Sequence, residues 1–198
     1  MAIQESVRRD GSAPALRTEP APETIISAGA AKFLAVFRVV LGFEFLWAFA
    51  DKTFGFGYAT PAERAWINGG SPTKGFLSRV AVGPFESTFH SIAGAAWADW
   101  LFMAGLLGIG IALILGVGLR IAAVSGSLMM LGMWAAEWPL AKFTSAGEPS
   151  MSTNPIVDYH IIYALALIAL AVTFAGHTWG LGKRWAKLPF VQRNRWLI

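Results

Sequence analysis

The chain has 198 residues, of which 55% are hydrophobic and only 14% charged, where a soluble domain of this length carries nearer a quarter charged residues. It contains no Cys, which excludes disulfides, thiolate metal sites, iron–sulfur clusters and cysteine nucleophiles. The net charge of +4 is distributed as a topology signal rather than as a nucleic-acid-binding patch. These features predict a single all-α membrane domain. It is a four-transmembrane-helix bundle with a helical extracytoplasmic loop between the first and second spans.

Residues 1–31 are rich in Ala, Pro, Glu, Ser and Arg and poor in bulky apolar side chains. Such a segment buries too little surface to offset its ordering entropy, and is read as a flexible cytoplasmic tail. Arg8-Arg9 lies too far from any apolar run to act as a twin-arginine signal. The first span covers about 33–50, longer than a signal-peptide core and interrupted by Arg38 and Glu44. The second, about 98–115, ends at the turn Gly116-Val117-Gly118. The third, about 120–137, lies between Arg120 and Glu137, and the fourth, about 156–176, opens with Asp158 and His160. Runs of about 16–20 residues suit a hydrocarbon core of about 30 Å. In lipid such runs must be helical to satisfy their own backbone. The transmembrane domain is therefore placed at 32–178, followed by a basic cytoplasmic tail at 179–198.

Orientation follows from the basic residues. Ten lie on the side of the two tails and the 116–120 turn, five lie on the opposite side, and Arg38 lies within a span. This places a multi-pass protein in the cytoplasmic membrane with both termini in the cytoplasm and residues 51–96 outside. Within that loop, Thr60-Pro61-Ala62-Glu63 reads as a capping box starting a short helix through Ile67. Ser71-Pro72 caps a second short helix that carries Lys74. Phe85, Phe89, Ile92, Ala93 and Ala96 share one face of a third.

Ionisable residues at membrane depth are functional candidates by default. Arg38 sits about 9 Å along the helix from Lys32; it either snorkels to headgroups or serves the interior. Glu44 is nearer mid-span, and about 240° separates it from Arg38 around the helix, which argues against a direct pair. Asp51 and Lys52 end the first span, Glu137 ends the third, and Asp158 with His160 opens the fourth. Two readings of these groups stand: ordinary end-of-span charges among a Trp belt, or a polar pocket under the loop. In the second reading Lys52, Lys74 and Arg79 bind an anion and His160 passes protons. The Gly69–Gly75 stretch lacks the phosphate-loop pattern, although the Ser71 helix start exposes N–H groups to an anion. Three His in separate places do not make a haem site, and no metal is predicted. A quinone needs only an apolar slot and one or two polar groups. Glycines 105, 108, 110, 116 and 126 read as close helix packing.

Three stretches together resemble the DoxX/DoxD family of four-helix membrane proteins: Phe45-Leu46-Trp47-Ala48-Phe49-Ala50-Asp51-Lys52, the loop Trp66-Ile67-Asn68-Gly69-Gly70-Ser71-Pro72-Thr73-Lys74-Gly75-Phe76-Leu77, and Asn154-Pro155-Ile156-Val157-Asp158-Tyr159-His160. The loop is similar to the branch described as a thiosulfate:quinone oxidoreductase membrane subunit. The resemblance spans 33 to about 182. It implies oxidation of thiosulfate to tetrathionate at the outer face, with electrons passing to a quinone and a second subunit taking part. It also implies site roles for Asp51, Lys52, the 68–74 loop with Asn68, Ser71 and Lys74, Asp158 and His160. Glu44 stands where relatives are expected to be apolar. Two further readings compete: a non-catalytic membrane anchor or accessory subunit of a respiratory complex, docking through the basic tail, and a small-solute carrier. The carrier reading fits poorly with four spans that show no repeat.

Overall fold

The computed structural model describes residues 26–150 and 152–198, so most of the expected N-terminal tail lies outside the described residues. Helix α1 runs over Ala28–Phe54, and residues 28–31 therefore belong to the helix rather than to the tail. Its start is fixed by Ser27, whose hydroxyl accepts the Ala30 N–H at 3.2 Å. Its end is the left-handed Gly55. The loop that follows holds α2 (Lys74–Leu77) and α3 (Glu86–Ile92). Then come α4 (Ala96–Leu115), a turn over 116–118, and α5 (Leu119–Glu137). A second loop leads to α6 (Tyr159–Val172).

α1, α4 and α5 are each long and apolar enough to cross a membrane. α6 is equally apolar but has 14 residues, about 21 Å of helix. It falls short of the expected 156–176 for local reasons. Asp158 caps it at one end, accepting the His160 and Ile161 N–H groups. At the other end Phe174 turns left-handed and a 3-10 turn follows over Ala175–His177.

The helices pack in sequence, α1 on α4, α4 on α5 and α5 on α6, with the α4–α5 contact the loosest of the three. Leu41, Phe45, Met103, Leu106, Ile109, Leu113, Met130, Leu167 and Leu170 form the buried core. The outer faces are apolar too: Val40, Phe43, Leu101, Leu128 and Leu165 are all exposed. A bundle apolar on both sides is suited to lipid, where the outer face gains nothing from polarity. Close approach is built with small residues. A Cβ at Gly110 would come within 2.6 Å of Leu46, and one at Gly126 would meet Leu167, whereas Gly108 faces open space and carries no packing.

Arg38 does not snorkel. It is fully buried, and its guanidinium donates to the carbonyls of Leu113, Ile114 and Trp179, the last two at 2.9 and 3.1 Å. The last carbonyls of a helix have no partner within it and carry the negative end of its dipole. Arg38 supplies both the donors and the charge, tying α1 to the end of α4 and to the chain beyond α6. The crossing is tight enough that a Cβ on Gly116 would reach Gly176 Cα at 2.9 Å and Arg38 Nη1 at 3.0 Å.

The C-terminal segment is not a loose tail. It forms α7 (Gly182–Trp185) and α8 (Pro189–Arg193) and buries Val191 and Leu197. Trp185 donates its indole N–H to the Leu197 carbonyl at 2.9 Å, and Arg120 reaches the Trp196 carbonyl at 3.3 Å. Lys183, Arg184, Lys187, Arg193 and Arg195 remain exposed. Burial, aided by nearby Lys183, holds His177 below the usual imidazole value, so Lys and Arg carry the charge of this surface.

Replacing Arg38 by Met is expected to leave three carbonyls without donors. Hydrogen bonds from a charged group contribute about 1.5–3 kcal/mol each, so thermal denaturation in detergent should show a large fall in Tm. Glu44→Gln, at an exposed position on α1, should shift it little. Equal effects would remove Arg38 from its structural role.

Candidate functional site

At the end of the bundle that carries both loops, a cavity of about 1250 Å³ lies between the loops and the α4–α5 face. On α4 it extends from Trp97 to Gly105, and on α5 from Ser125 to Glu137. The twelve residue steps from Ser125 to Glu137 correspond to about 18 Å of helix. Leu101, Phe102, Leu128, Met129 and Met133 make this part an apolar groove. Leu101 and Leu128 are 67% and 66% exposed, so the groove opens on the outer face of the bundle, where α4 and α5 pack loosely. The other part is polar, lined by Lys52 in the last turn of α1, by Arg64, Ser71 and Arg79 from the first loop, and by Glu137, Asn154, Asp158 and Tyr159 from the second loop and its helix junctions.

The first loop has little regular structure, and two buried aspartates organise it. Asp51, 2% exposed, accepts the N–H groups of Tyr58, Ala59 and Thr60 at 3.3, 3.0 and 2.8 Å. This overturns the expected capping box. The Thr60 N–H is drawn to Asp51, Pro61 sits at the cap without a side-chain bond, and two 3-10 turns, Ala62–Arg64 and Trp66–Asn68, replace the helix. Asp99, in the first turn of α4, accepts from the Ser71 hydroxyl and from both the N–H and hydroxyl of Thr73, at 2.9, 2.9 and 2.6 Å. The Ser71 hydroxyl in turn accepts the Lys74 N–H at 3.1 Å, but the N-cap of α2 is Thr73 rather than the expected Ser71. The two loops are joined where Ser145 donates to Glu86 at 2.7 Å and to the Ala81 carbonyl through its N–H.

Across the cavity stands a compact polar cluster. His160 is fully buried, and its Nδ1 lies 2.9 Å from Asp158 Oδ2 and 3.9 Å from Glu137 Oε2. Tyr159 donates its hydroxyl to Glu137 Oε1 at 3.0 Å. Asp158 divides its work: Oδ1 caps α6 and Oδ2 faces the imidazole. His160 Nε2 is buried without a partner.

The residues expected to form one site therefore separate into groups. Asp158 and Glu137 line the cavity wall with His160 directly behind Asp158. Lys52, Ser71 and Arg79 line the loop side. Asp51 is occupied with backbone amides and does not line the cavity. Asn68 donates to the Ala62 carbonyl at 2.8 Å, and Lys74 packs its stem over Gly94; both shape the loop. Arg38 belongs to the opposite end of the bundle, and Glu44 is exposed on α1. Sequence reasoning missed Asp99, Arg64 and Tyr159. Asp99 had a readable signal, an acid in the first turn of a span close to hydroxyl-bearing Ser71 and Thr73. Tyr159 sits between two residues that were singled out.

Asp51→Ala is expected to release the amides of residues 58–60. Hydrogen–deuterium exchange there should rise by at least about tenfold, the loss of a charge-assisted bond, while amides within α4 and α5 stay protected. Unchanged exchange would show that the loop holds itself.

Comparison with known proteins found no matching family model, no matching curated protein and no matching solved structure.

Proposed function

We propose that this chain is a DoxX/DoxD-like, four-span subunit of a quinone-linked oxidoreductase acting on a small sulfur anion, with both tails in the cytoplasm and the cavity at the outer face of the cytoplasmic membrane. One observation carries the reading. A single cavity joins an apolar groove, open on the outer face of the bundle, to a polar chamber lined by cations on one side and by acids and a tyrosine on the other. A quinone has this division, an apolar tail and a ring with two oxygens, and such sites need few polar groups. The tail would enter sideways between α4 and α5, and the ring would face Tyr159 and Asp158.

The balance of the reaction sets what the residues must do. Two thiosulfates join through a new S–S bond and release two electrons, and the quinone takes up those electrons with two protons. Lys52, Arg64 and Arg79 would hold the dianion by charge, and the guanidinium groups suit its oxygens. Asp158, with His160 behind it, and Glu137 with Tyr159 would deliver the protons. The chain has no Cys, so it forms no thiol intermediate of its own; electrons pass directly between substrates or through a second subunit.

A second reading rests on the folded C-terminal segment. Its five exposed Lys and Arg form a basic surface, and a respiratory partner or anionic headgroups would bind there. In that case the protein anchors a complex and the cavity holds a structural lipid.

The discriminating experiment uses the full chain in detergent or nanodiscs, alone and with co-purifying proteins, and follows quinone reduction on adding thiosulfate. Gly132 lines the groove and has open space where a Cβ would stand, so Gly132→Phe should fill the groove without disturbing the helix. It is expected to weaken binding of a short-chain quinone by at least about tenfold, about 1.4 kcal/mol, with Tm unchanged. Arg79→Gln should raise KM for thiosulfate more than it lowers kcat. Absence of quinone reduction in both preparations removes the catalytic reading. Quinone affinity indifferent to Gly132→Phe removes the groove.

A further inference from the structure

We infer that Glu137, Asp158 and His160 form a binding site for one first-row divalent metal ion, with Zn²⁺ as its representative, at the wall of the cavity. Each of the three residues offers a ligand atom, and these atoms lie within 4.8 Å of one another. His160 Nδ1 is 2.9 Å from Asp158 Oδ2 and 3.9 Å from Glu137 Oε2. Zinc–nitrogen and zinc–oxygen bonds near 2.0–2.1 Å in tetrahedral geometry place ligand atoms about 3.3 Å apart. The two separations from His160 bracket that value, and the two carboxylates, which lie within 4.8 Å of each other, close on the ion by turning their side chains.

Three independent features point to a cation there. First, the two carboxylates lack a positive partner: among the described residues, neither has a Lys or Arg within 4.0 Å, and only His160 is paired with them. Second, His160 is completely buried with Nδ1 aimed into the cluster, and it has no hydrogen-bond partner outside it. A metal on Nδ1 would place the imidazole proton on Nε2, for which the described residues supply no acceptor, so the ligand set rests on the Nδ1 side of the ring alone. Third, the ligands are already oriented. Asp158 Oδ1 is fixed by the His160 and Ile161 N–H groups, leaving Oδ2 for the ion, and Tyr159 holds Glu137 Oε1, leaving Oε2. Supporting bonds of this kind are what a metal site requires around its ligands.

One nitrogen with two carboxylate oxygens suits zinc or its first-row neighbours, whereas Ca²⁺ and Mg²⁺ favour all-oxygen sets. Glu137 is half exposed and, with Asp158, lines the cavity, which provides both an entry path and an open coordination position facing any ligand. Such a position polarises a bound oxygen. The site does not depend on the identity of the cavity's occupant; in the metal-bound form Glu137, Asp158 and His160 are ligands, and the Tyr159 hydroxyl is the proton donor left at the wall.

The test uses the full-length protein in detergent, stripped with chelator and dialysed against Zn²⁺, with bound metal measured by elemental analysis and with Co²⁺ as a spectroscopic probe. Wild type should retain one Zn²⁺ per chain and give the intense visible d–d bands of four- or five-coordinate Co²⁺. Glu137→Gln is nearly isosteric and lies at the rim, so it should keep the fold; it should lose stoichiometric uptake and those bands. His160→Gln should do the same, and if it fails to fold, Glu137→Gln alone decides. Tyr159→Phe should weaken binding by about tenfold, the usual effect of removing a supporting bond. Wild type retaining no more metal than Glu137→Gln, or Co²⁺ remaining octahedral and weakly coloured, overturns the site. Because metal uptake is measured without thiosulfate or quinone, that failure leaves the quinone reading standing, and a failure of quinone reduction leaves the metal site standing.

Discussion

A loop without regular structure, set against an apolar bundle, must find partners for its backbone N–H groups. Here two carboxylates on the bundle supply them. Asp51 at the end of α1 gathers the amides of residues 58–60, and Asp99 at the start of α4 gathers Ser71 and Thr73. Both are nearly buried, where a carboxylate is costly unless its acceptor capacity is used. The loop satisfies the acids as much as the acids satisfy the loop. With it held in this position, Lys52, Arg64 and Arg79 line the cavity on the side opposite the acids.

The opposite end of the bundle obeys the same rule with the sign reversed. There the unsatisfied groups are carbonyls at the end of α4 and beyond α6, and the partner is a buried guanidinium, Arg38. Gly116 and Gly176 remove the side chains that would keep the two segments of this crossing apart. Charged residues in the apolar helix α1 thus serve different ends: Arg38 satisfies backbone, Asp51 organises a loop, and Glu44, exposed on the outer face, has no internal partner in the hydrogen bonds of the described residues.

Between the two ends, α4 and α5 pack loosely enough to leave a groove, while α1–α4 and α5–α6 are close. The bundle is therefore built as two closely packed helix pairs meeting at a looser seam. The Glu137–Asp158–His160–Tyr159 cluster sits at the loop end of that seam, built by the end of α5 and the start of α6. Its acids are oriented by an N-cap and a tyrosine hydroxyl. An apolar cleft next to oriented polar groups is the arrangement from which binding chemistry is made, whatever molecule enters.

The apolar runs, their charge-bearing ends and their glycine stops determined where α1, α4 and α5 lie, because hydropathy and helix termination are local properties of the chain. Asp158 reads as part of a span that begins at 156 and instead caps α6, and Ser71 reads as the cap of α2, whose N-cap is Thr73. Tertiary structure decided the rest. The Thr60–Glu63 pattern is a valid local cap, yet a carboxylate nine residues earlier competes for the same amide and wins. Arg38 looks like a snorkelling residue until α4 and the segment beyond α6 bring their carbonyls to it. Asp51 and His160 appeared equivalent as acids and bases at one rim, and only the path of the loop separated a backbone anchor from a member of the polar cluster. Spacing along a chain states which groups are near an end of a helix; which partner each group finds depends on the elements that fold back against it.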